Sequence, residues 1–173
     1  MASLRQVFEA LDQMREDGVI GDFALGGGMA ALFYAETTRT YDLDVFAYLP
    51  SQRGALLDLH PIYEWAEAHG FAPHAEHLLI HGVPVQLLAA NGGLAAEAVA
   101  EARTLDYEGH GVRVVAPEFL ITLYLIAGGG RRVERVEALI AAGAVNIRRL
   151  RALMGKYALA SMWQTRWEAD DHA

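Results

Sequence analysis

Two carboxylates, Asp42 and Asp44, lie one residue apart in the apolar, β-prone run 41–49. Because side chains alternate between the two faces of a strand, both acids are expected on one face, with Leu43 and Val45 on the other. Adjacent carboxylates repel each other unless a cation lies between them. Mg²⁺ prefers oxygen ligands and usually takes one or two protein carboxylates together with substrate phosphates. The spacing therefore predicts a site for Mg²⁺ or Mn²⁺, with Asp42 and Asp44 as its ligands.

A glycine cluster lies upstream of this pair, between a short apolar run at 23–25 and a helical pattern at 29–35. Gly27 and Gly28 allow a ligand to approach the backbone closely. The start of the helix adds backbone N–H groups and the positive end of the helix dipole, which favour phosphate. We therefore expect Gly27 and Gly28 to bind a nucleoside triphosphate with its metal. The alternative is a tight strand-to-helix turn that needs glycine but binds nothing.

Thirteen residues separate Gly28 from Asp42, and Arg39 and Thr40 come shortly before the acids. This hydrophobic-Gly-Gly start, followed by Asp-hydrophobic-Asp, resembles the signature of the DNA polymerase β-type nucleotidyltransferase superfamily. The Arg-Thr pair resembles its small bacterial branch, which includes the abortive-infection nucleotidyltransferase toxins. The resemblance implies Mg²⁺-dependent transfer of a nucleoside monophosphate from a nucleoside triphosphate to a hydroxyl acceptor. That acceptor would be an RNA end, a protein hydroxyl or a small molecule.

The same resemblance implies roles for individual residues. Asp42 and Asp44 would be the catalytic metal ligands. Arg39 and Thr40 would contact the nucleotide, although an ion pair with a nearby carboxylate is an equal alternative for Arg39. Arg131 and Arg132 stand where related proteins carry a Lys-Asp pair, and arginine can hold phosphate with bidentate geometry. These four residues, with Gly27 and Gly28, form the predicted nucleotide-binding set.

Two positions depart from the pattern of active relatives. A third carboxylate often stands on a neighbouring strand, and the equivalent residue here is Gln86 in the run VPVQLL. An amide oxygen can ligate a metal weakly but cannot take a proton. A lysine expected in the helix at 118–127 is replaced by Tyr124, which supplies no positive charge. The second hypothesis is therefore a nucleotidyltransferase fold with reduced or no catalysis, acting as a nucleotide- or partner-binding module.

The order of patterns along the chain is helix, strand, helix, strand, helix, several strands and then helices. This order is typical of an α/β fold of the α+β kind, with a mixed sheet, flanking helices and a C-terminal helical bundle. Periodicity also predicts a helix at 56–69, interrupted or started at Pro61, and one long helix from 146 to about 167. The triple glycine at 128–130 suggests a nucleotidyltransferase-like core at 1–127 and a helical extension at 128–173.

The composition of the chain indicates where the protein functions and what it could bind. The chain has 173 residues, no cysteine and a formal net charge of −8. Without cysteine there are no structural disulfides or thiolate metal sites, which favours a cytoplasmic location. No apolar run reaches the roughly 20 residues of a membrane span, so no membrane association is expected. Residues 131–166 carry eight basic and two acidic side chains, so this segment could meet a triphosphate or a short stretch of RNA, unless its arginines are only solvated helix faces. In the binding-module hypothesis, Arg131, Arg132 and Arg135 are the first residues to test as a surface for partners.

Four histidines, His69, His74, His77 and His81, fall close together in the sequence. The segment that contains the last two has a strand pattern, with hairpin strands expected at 75–80 and 83–88. In a strand, His77 and His81 would lie about 13 Å apart at roughly 3.3 Å per residue. That separation is too large for two ligands of one ion, so we do not expect a zinc site there.

Overall fold

The computed structural model describes residues 4–37, 40–51 and 56–168. Within these residues the helices are α1 (Leu4–Glu16), α2 (Gly27–Leu32), α3 (His60–Ala68), α4 (Gly93–Ala100), α5 (Pro117–Ala127), α6 (Gly130–Ala141), α7 (Ile147–Lys156) and α8 (Ala160–Trp163), which runs into a π-helical turn at Gln164–Glu168. The strands are β1 (Phe23–Leu25), β2 (Leu43–Ala47), β3 (Ala72–His74), β4 (His77–Ile80), β5 (Val83–Ala89), β6 (Arg103–Tyr107) and β7 (His110–Val114). None of the described helices is both long enough and apolar enough to cross a membrane.

The strands form one mixed sheet in the order β3-β4-β5-β2-β1-β7-β6, so β2 lies at its centre. β2 pairs in parallel with β5 and antiparallel with β1, and β1 pairs in parallel with β7. The parallel pairs are joined by segments that contain helices, as parallel connections require. The predicted α+β fold, with a mixed sheet and flanking helices, is confirmed.

β2 has one buried face and one partly exposed face. Leu43, Val45 and Ala47 are completely buried, whereas Asp44 and Phe46 are partly exposed. This is the period-two alternation of a strand that packs one face into a core. The alternation directs Asp44 away from the buried side chains of its own strand, as the sequence predicts.

α5 is the helix on which the C-terminal helices pack. Phe119, Leu120 and Ile121 are completely buried, and α6 and α7 both contact α5. A helix that is apolar on almost every side needs neighbours on almost every side. α6 also contacts α2, which brings the basic start of α6 beside the glycine turn. The division into a core at 1–127 and an extension at 128–173 stays a prediction.

Several element boundaries differ from those predicted. β2 begins at Leu43, so Asp42 lies in the bend before the strand rather than within it. α3 begins at His60, next to the predicted start at Pro61 and not at 56, and Pro61 occupies an early position where its missing N–H costs nothing. The sequence gives no sign of β3, because all three of its residues are exposed and show no apolar alternation.

The prediction of one helix from 146 to about 167 is wrong, because α7 ends at Lys156. Ala158 adopts a φ of +57°. The Leu159 backbone N–H then donates to the Met154 carbonyl at 2.8 Å. A left-handed residue just past the last turn is a common way for a helix to end. Apolar spacing continues across this break, so periodicity alone does not reveal it.

Candidate active site

A cleft of about 700 Å³ lies between the N-terminal end of β2 and the start of α6. Its sheet side is acidic and its helix side is basic. The sheet side consists of Thr40, Tyr41, Asp42, Asp44 and Gln86, and the helix side of Gly129, Gly130, Arg131, Arg132 and Arg135. The fold thus brings together residues that are up to 95 positions apart in the chain, such as Thr40 and Arg135. Opposed carboxylates and guanidinium groups suit a ligand that contains both a cation and phosphates.

The two acids reach the cleft from different backbone settings. Asp44 is within β2, and Asp42 is in the bend that precedes it. Both nevertheless line the same cleft, although alternation along the strand accounts only for Asp44. Gln86 is the register partner of Asp44 across the parallel pair of β2 and β5. Register partners in a parallel pair point to the same face of the sheet, so Gln86 stands beside Asp44 where the sequence predicts a third ligand position.

The environment of Asp44 is unfavourable for a bare carboxylate. Burial raises the pKa of Asp44, and the Asp42 carboxylate raises it further. The guanidinium groups of Arg135 and Arg132 lower this pKa, but their effect is smaller than that of burial and Asp42 together. A cation between the two carboxylates would relieve both causes at once.

The donor atoms of this site fit Mg²⁺ or Mn²⁺. Asp42 and Asp44 supply carboxylate oxygens, and Gln86 supplies an amide oxygen. Mg²⁺ needs no more protein carboxylates than two when phosphates complete its coordination. The described part of the chain contains no group of three or more His, Asp or Glu residues that could hold a metal. His77 lies on β4 and His81 in the turn after it.

Thr40 is tied to the acidic pair. Its hydroxyl donates to Asp42 Oδ1 at 2.5 Å. This hydrogen bond orients the Asp42 carboxylate in a bend where no strand pairing would hold it. Thr40 also lines the cleft. Its contact with a nucleotide stays a prediction, whereas its hydrogen bond to Asp42 is observed. Arg39, the other residue of the predicted pair, lies outside the described residues.

Gly27 and Gly28 each make room for one charged group. Gly27 has a φ of +55°, which favours glycine, and a Cβ on this residue would collide with the Asp44 carboxylate. A Cβ on Gly28 would collide with the Arg135 guanidinium. The glycine turn is therefore required by the close approach of Asp44 on one side and Arg135 on the other. Contact of these glycines with a nucleotide stays a prediction.

Solved structures resemble the fold of this chain, although no family model and no curated protein matches the sequence. An antigenic nucleotidyltransferase-like protein from Paracoccidioides brasiliensis matches with a TM-score of 0.59 at 17% identity, over 97% of this chain and 90% of that one. The antibiotic-resistance factor ANT(2″)-Ia matches in its solution structure with a TM-score of 0.52 at 16% identity, over 99% and 97% of the two chains. Its crystal structure in complex with adenylyl-2″-tobramycin matches with a TM-score of 0.53 at 14% identity, over 95% and 99%.

This chain has a nucleotidyltransferase-like fold. The likeness extends over nearly the full length of each chain compared, so it includes the C-terminal helices as well as the sheet. At these levels of identity the likeness is one of fold. What this chain does is therefore argued below from its own residues.

Within this nucleotidyltransferase-like fold, Tyr124 has a structural role in place of the expected lysine. Its hydroxyl donates to the Gly27 carbonyl at 2.5 Å, and only 4% of the residue is exposed. Burial raises the pKa of Tyr124 well above its usual range, so the hydroxyl keeps its proton for this hydrogen bond. Tyr124, on α5, thus holds the glycine turn in place through this hydrogen bond. The positive charge of the cleft comes from the arginines of α6.

Arg135 is the residue whose place in the site the sequence does not reveal. The sequence indicates only a basic surface for partners, yet Arg135 lies in the cleft against Gly28, with its guanidinium carbon 6.0 Å from the centre of the Tyr124 ring. Its Nε is buried and has no hydrogen-bond partner among the described residues. The i, i+4 spacing from Arg131, which places both on one helix face, was the available signal.

The other two arginines of α6 are more accessible. Arg131 and Arg132 are exposed, and Arg132 Nη1 donates to the Gly128 carbonyl at 2.7 Å. That bond holds Arg132 near the start of α6 while leaving other N–H groups of the guanidinium free to bind an anion. The helix side of the cleft therefore presents one partly buried and two exposed guanidinium groups.

Proposed function

We propose that this protein is a nucleotidyltransferase that moves a nucleoside monophosphate from a nucleoside triphosphate to a hydroxyl acceptor and depends on Mg²⁺ or Mn²⁺. The observation that carries the proposal is the placement of Asp42 and Asp44 opposite the arginines of α6 in one cleft. The nucleotidyltransferase-like fold supports the same class of reaction.

The acidic side of the cleft would hold the metal. Asp42 and Asp44 are its carboxylate ligands, and the amide oxygen of Gln86 is a weaker third. When bound, Mg²⁺ neutralises negative charge on the phosphates and lowers the pKa of a coordinated acceptor hydroxyl. Thr40 keeps Asp42 in position through its hydrogen bond, and the glycine turn lets Asp44 approach the backbone.

The basic side of the cleft would hold the phosphates. The acceptor oxygen forms a bond to the α-phosphorus, and the bond from that phosphorus to the leaving pyrophosphate breaks. Arg131, Arg132 and Arg135 stabilise the charge that develops on the leaving group. The acceptor proton goes to an aspartate carboxylate or to water, because the amide of Gln86 cannot take it.

The acceptor belongs to one of three classes. The Arg39-Thr40 pair supports an RNA end or a protein hydroxyl, through its likeness to abortive-infection nucleotidyltransferase toxins. The ANT(2″)-Ia complex with adenylyl-2″-tobramycin supports a small-molecule hydroxyl. A cytoplasmic setting, as the cysteine-free sequence predicts, is compatible with each class.

A second candidate function is a nucleotide-binding module without turnover. The observation that favours it is the neutral amide of Gln86 beside Asp44, where active relatives often carry a third carboxylate. The cleft would then bind a metal–nucleotide complex and report it to a partner through the basic helices. Retention of both aspartates and of the glycines favours the enzyme.

The test is label transfer. Each of the four nucleoside triphosphates, labelled at the α-phosphate, is incubated with Mg²⁺ and with RNA, protein and small-molecule acceptors. We expect label on one acceptor class with the wild type and none with the Asp42→Asn, Asp44→Asn double variant. Tight Mg²⁺-dependent nucleotide binding with no transfer to any acceptor would favour the binding module instead.

A further inference from the structure

A second, smaller cavity lies beside the cleft. Its volume is about 160 Å³, and its walls come from α5, the start of α6 and the C-terminal segment. Leu125, Val133 and Val136 contribute apolar surface, and the C-terminal segment contributes Met162, Arg166 and Trp167. Gly129 and Arg132 line both this cavity and the cleft, so the two spaces adjoin at the start of α6.

Trp167, which lines this cavity, has one polar atom without a hydrogen-bond partner among the described residues. Trp167 Nε1 is buried and makes no hydrogen bond within residues 4–37, 40–51 and 56–168. A buried donor without an acceptor is unfavourable. The Trp167 ring itself is held by stacking on Trp163, with 5.0 Å between the ring centres. The Tyr124 hydroxyl, which belongs to another lining residue, already donates to the Gly27 carbonyl.

The size of the cavity restricts what can enter it. Pockets for drug-sized ligands measure roughly 300–1,000 Å³, so a whole nucleotide does not fit. An engineered apolar cavity of about 150 Å³ holds one benzene molecule, so a single planar ring system is the right scale. The cavity favours a flat ligand group that tolerates apolar walls and accepts a hydrogen bond.

We propose that this cavity binds the base of the nucleoside triphosphate. The phosphates would lie on the guanidinium groups of α6, and Arg132, which lines both spaces, would stand where the sugar connects them. Every nucleobase carries ring or carbonyl acceptors that could satisfy Trp167 Nε1, and its faces would contact Val133 and Leu125. The inference rests on the proposed function, because it presupposes that the phosphates bind in the cleft.

The test compares a ligand that has a base with one that has none. The dissociation constants of the four nucleoside triphosphates and of inorganic tripolyphosphate are measured by calorimetry in Mg²⁺. Trp167→Phe keeps an aromatic six-membered ring but removes the N–H together with the five-membered ring, and Val133→Phe fills the cavity. Trp65→Phe is the matched control, because the Trp65 indole donates to Asp17 at 2.7 Å and lines neither space.

We expect Trp167→Phe to weaken nucleotide binding about two- to tenfold, as the loss of one hydrogen bond does. Val133→Phe should weaken it by roughly five- to a hundredfold, the range for losing base contacts. Tripolyphosphate should bind all variants as it binds the wild type, and Trp65→Phe should change neither ligand. Thermal melting of each variant establishes that it is folded.

Three outcomes would overturn the inference while the proposed function stands. Nucleotide affinity could be unchanged in Trp167→Phe and Val133→Phe. Tripolyphosphate affinity could fall as much as nucleotide affinity. That result would show that the cavity residues position the arginine side chains and do not bind the base. Tyr41→Ala, at an exposed ring on the cleft rim, could weaken nucleotide binding alone, which would place the base there. Failure of the wild type to bind either ligand would overturn the proposed function itself.

Discussion

Gln86 is the register partner of Asp44 on the neighbouring parallel strand, and the two side chains line the same cleft. The position therefore has the geometry of a third ligand but lacks the charge of one. An amide oxygen can complete a coordination shell, whereas only a carboxylate could also accept the acceptor proton. This relationship determines how fast the proposed reaction can be.

Replacing Gln86 by aspartate should raise nucleotide transfer. A general base typically contributes about 10²–10⁴-fold, so the gain should be large when label transfer is measured at saturating Mg²⁺. Gln86→Asn, which shortens the side chain but stays neutral, is the matched control and should not gain. A fast wild type that loses activity in Gln86→Asp would show that the third ligand lies elsewhere.

Gly28→Ala should destabilise the protein, because the new methyl group collides with the Arg135 guanidinium. Overpacking of this kind costs about 1–3 kcal/mol in the free energy of unfolding, measurable by urea denaturation. Gly155→Ala is the control: a methyl group in that position of α7 meets open space and should stabilise by about 0.5–1 kcal/mol.

The collision can be isolated by a double variant. If Arg135 is the cause, Gly28→Ala should cost much less in an Arg135→Ala background, because the two changes are coupled. Equal costs in both backgrounds would mean that the obstacle is Thr40, whose Cβ would lie 2.9 Å from the new methyl group.

Asp44→Asn should raise the melting temperature of the metal-free protein while abolishing transfer. Burial and the Asp42 carboxylate raise the pKa of Asp44, so the folded state disfavours its ionised form. The resulting loss of stability is present above the raised pKa of the folded state and absent below the usual aspartate pKa of 3.8. The rise in melting temperature of Asp44→Asn over the wild type should therefore be largest near pH 7 and decrease towards pH 4. It should also decrease when Mg²⁺ is added to the variant and to the wild type. A lower melting temperature for Asp44→Asn in EDTA would mean that attraction to Arg135 outweighs burial and repulsion.

Tyr34→Phe should tolerate alkali better than the wild type. The Tyr34 hydroxyl is buried without a hydrogen-bond partner among the described residues, and burial raises the pKa of Tyr34 to about 12. The unfolded chain ionises this phenol from about pH 10, so the wild type loses stability relative to Tyr34→Phe between pH 10 and about 12. Below pH 9 the difference should be constant. Parallel unfolding curves for the two proteins up to pH 12 would contradict this.

The central strand and its acids could be predicted from sequence because the pattern there is local. Leu43 and Val45 alternate with Asp44. The acids follow the glycine turn at a spacing that resembles the nucleotidyltransferase signature. The register of Asp44 with Gln86 also followed, through the resemblance. The buried face of β2 and the cleft face of Asp44 are two consequences of the same alternation.

The remainder of the site depends on contacts that no local pattern encodes. Arg135 reaches Gly28 only because α6 packs against α2 and α5, and nothing in its own segment distinguishes it from a solvated arginine. Tyr124 reads as one more apolar residue of α5, although its hydroxyl holds the Gly27 carbonyl. The end of α7 was missed because it depends on one left-handed residue, Ala158, for which the sequence offers no glycine or asparagine.

The most direct test of the account is nucleotide-dependent stabilisation with and without metal. The acidic pair repels a bare triphosphate, and a divalent cation reverses the sign of that interaction. A nucleoside triphosphate should therefore raise the melting temperature in Mg²⁺ or Mn²⁺ but not in EDTA, and the Asp42→Asn, Asp44→Asn double variant should show no metal-dependent rise. Equal stabilisation of the wild type in Mg²⁺ and in EDTA would contradict a metal–nucleotide site at Asp42 and Asp44.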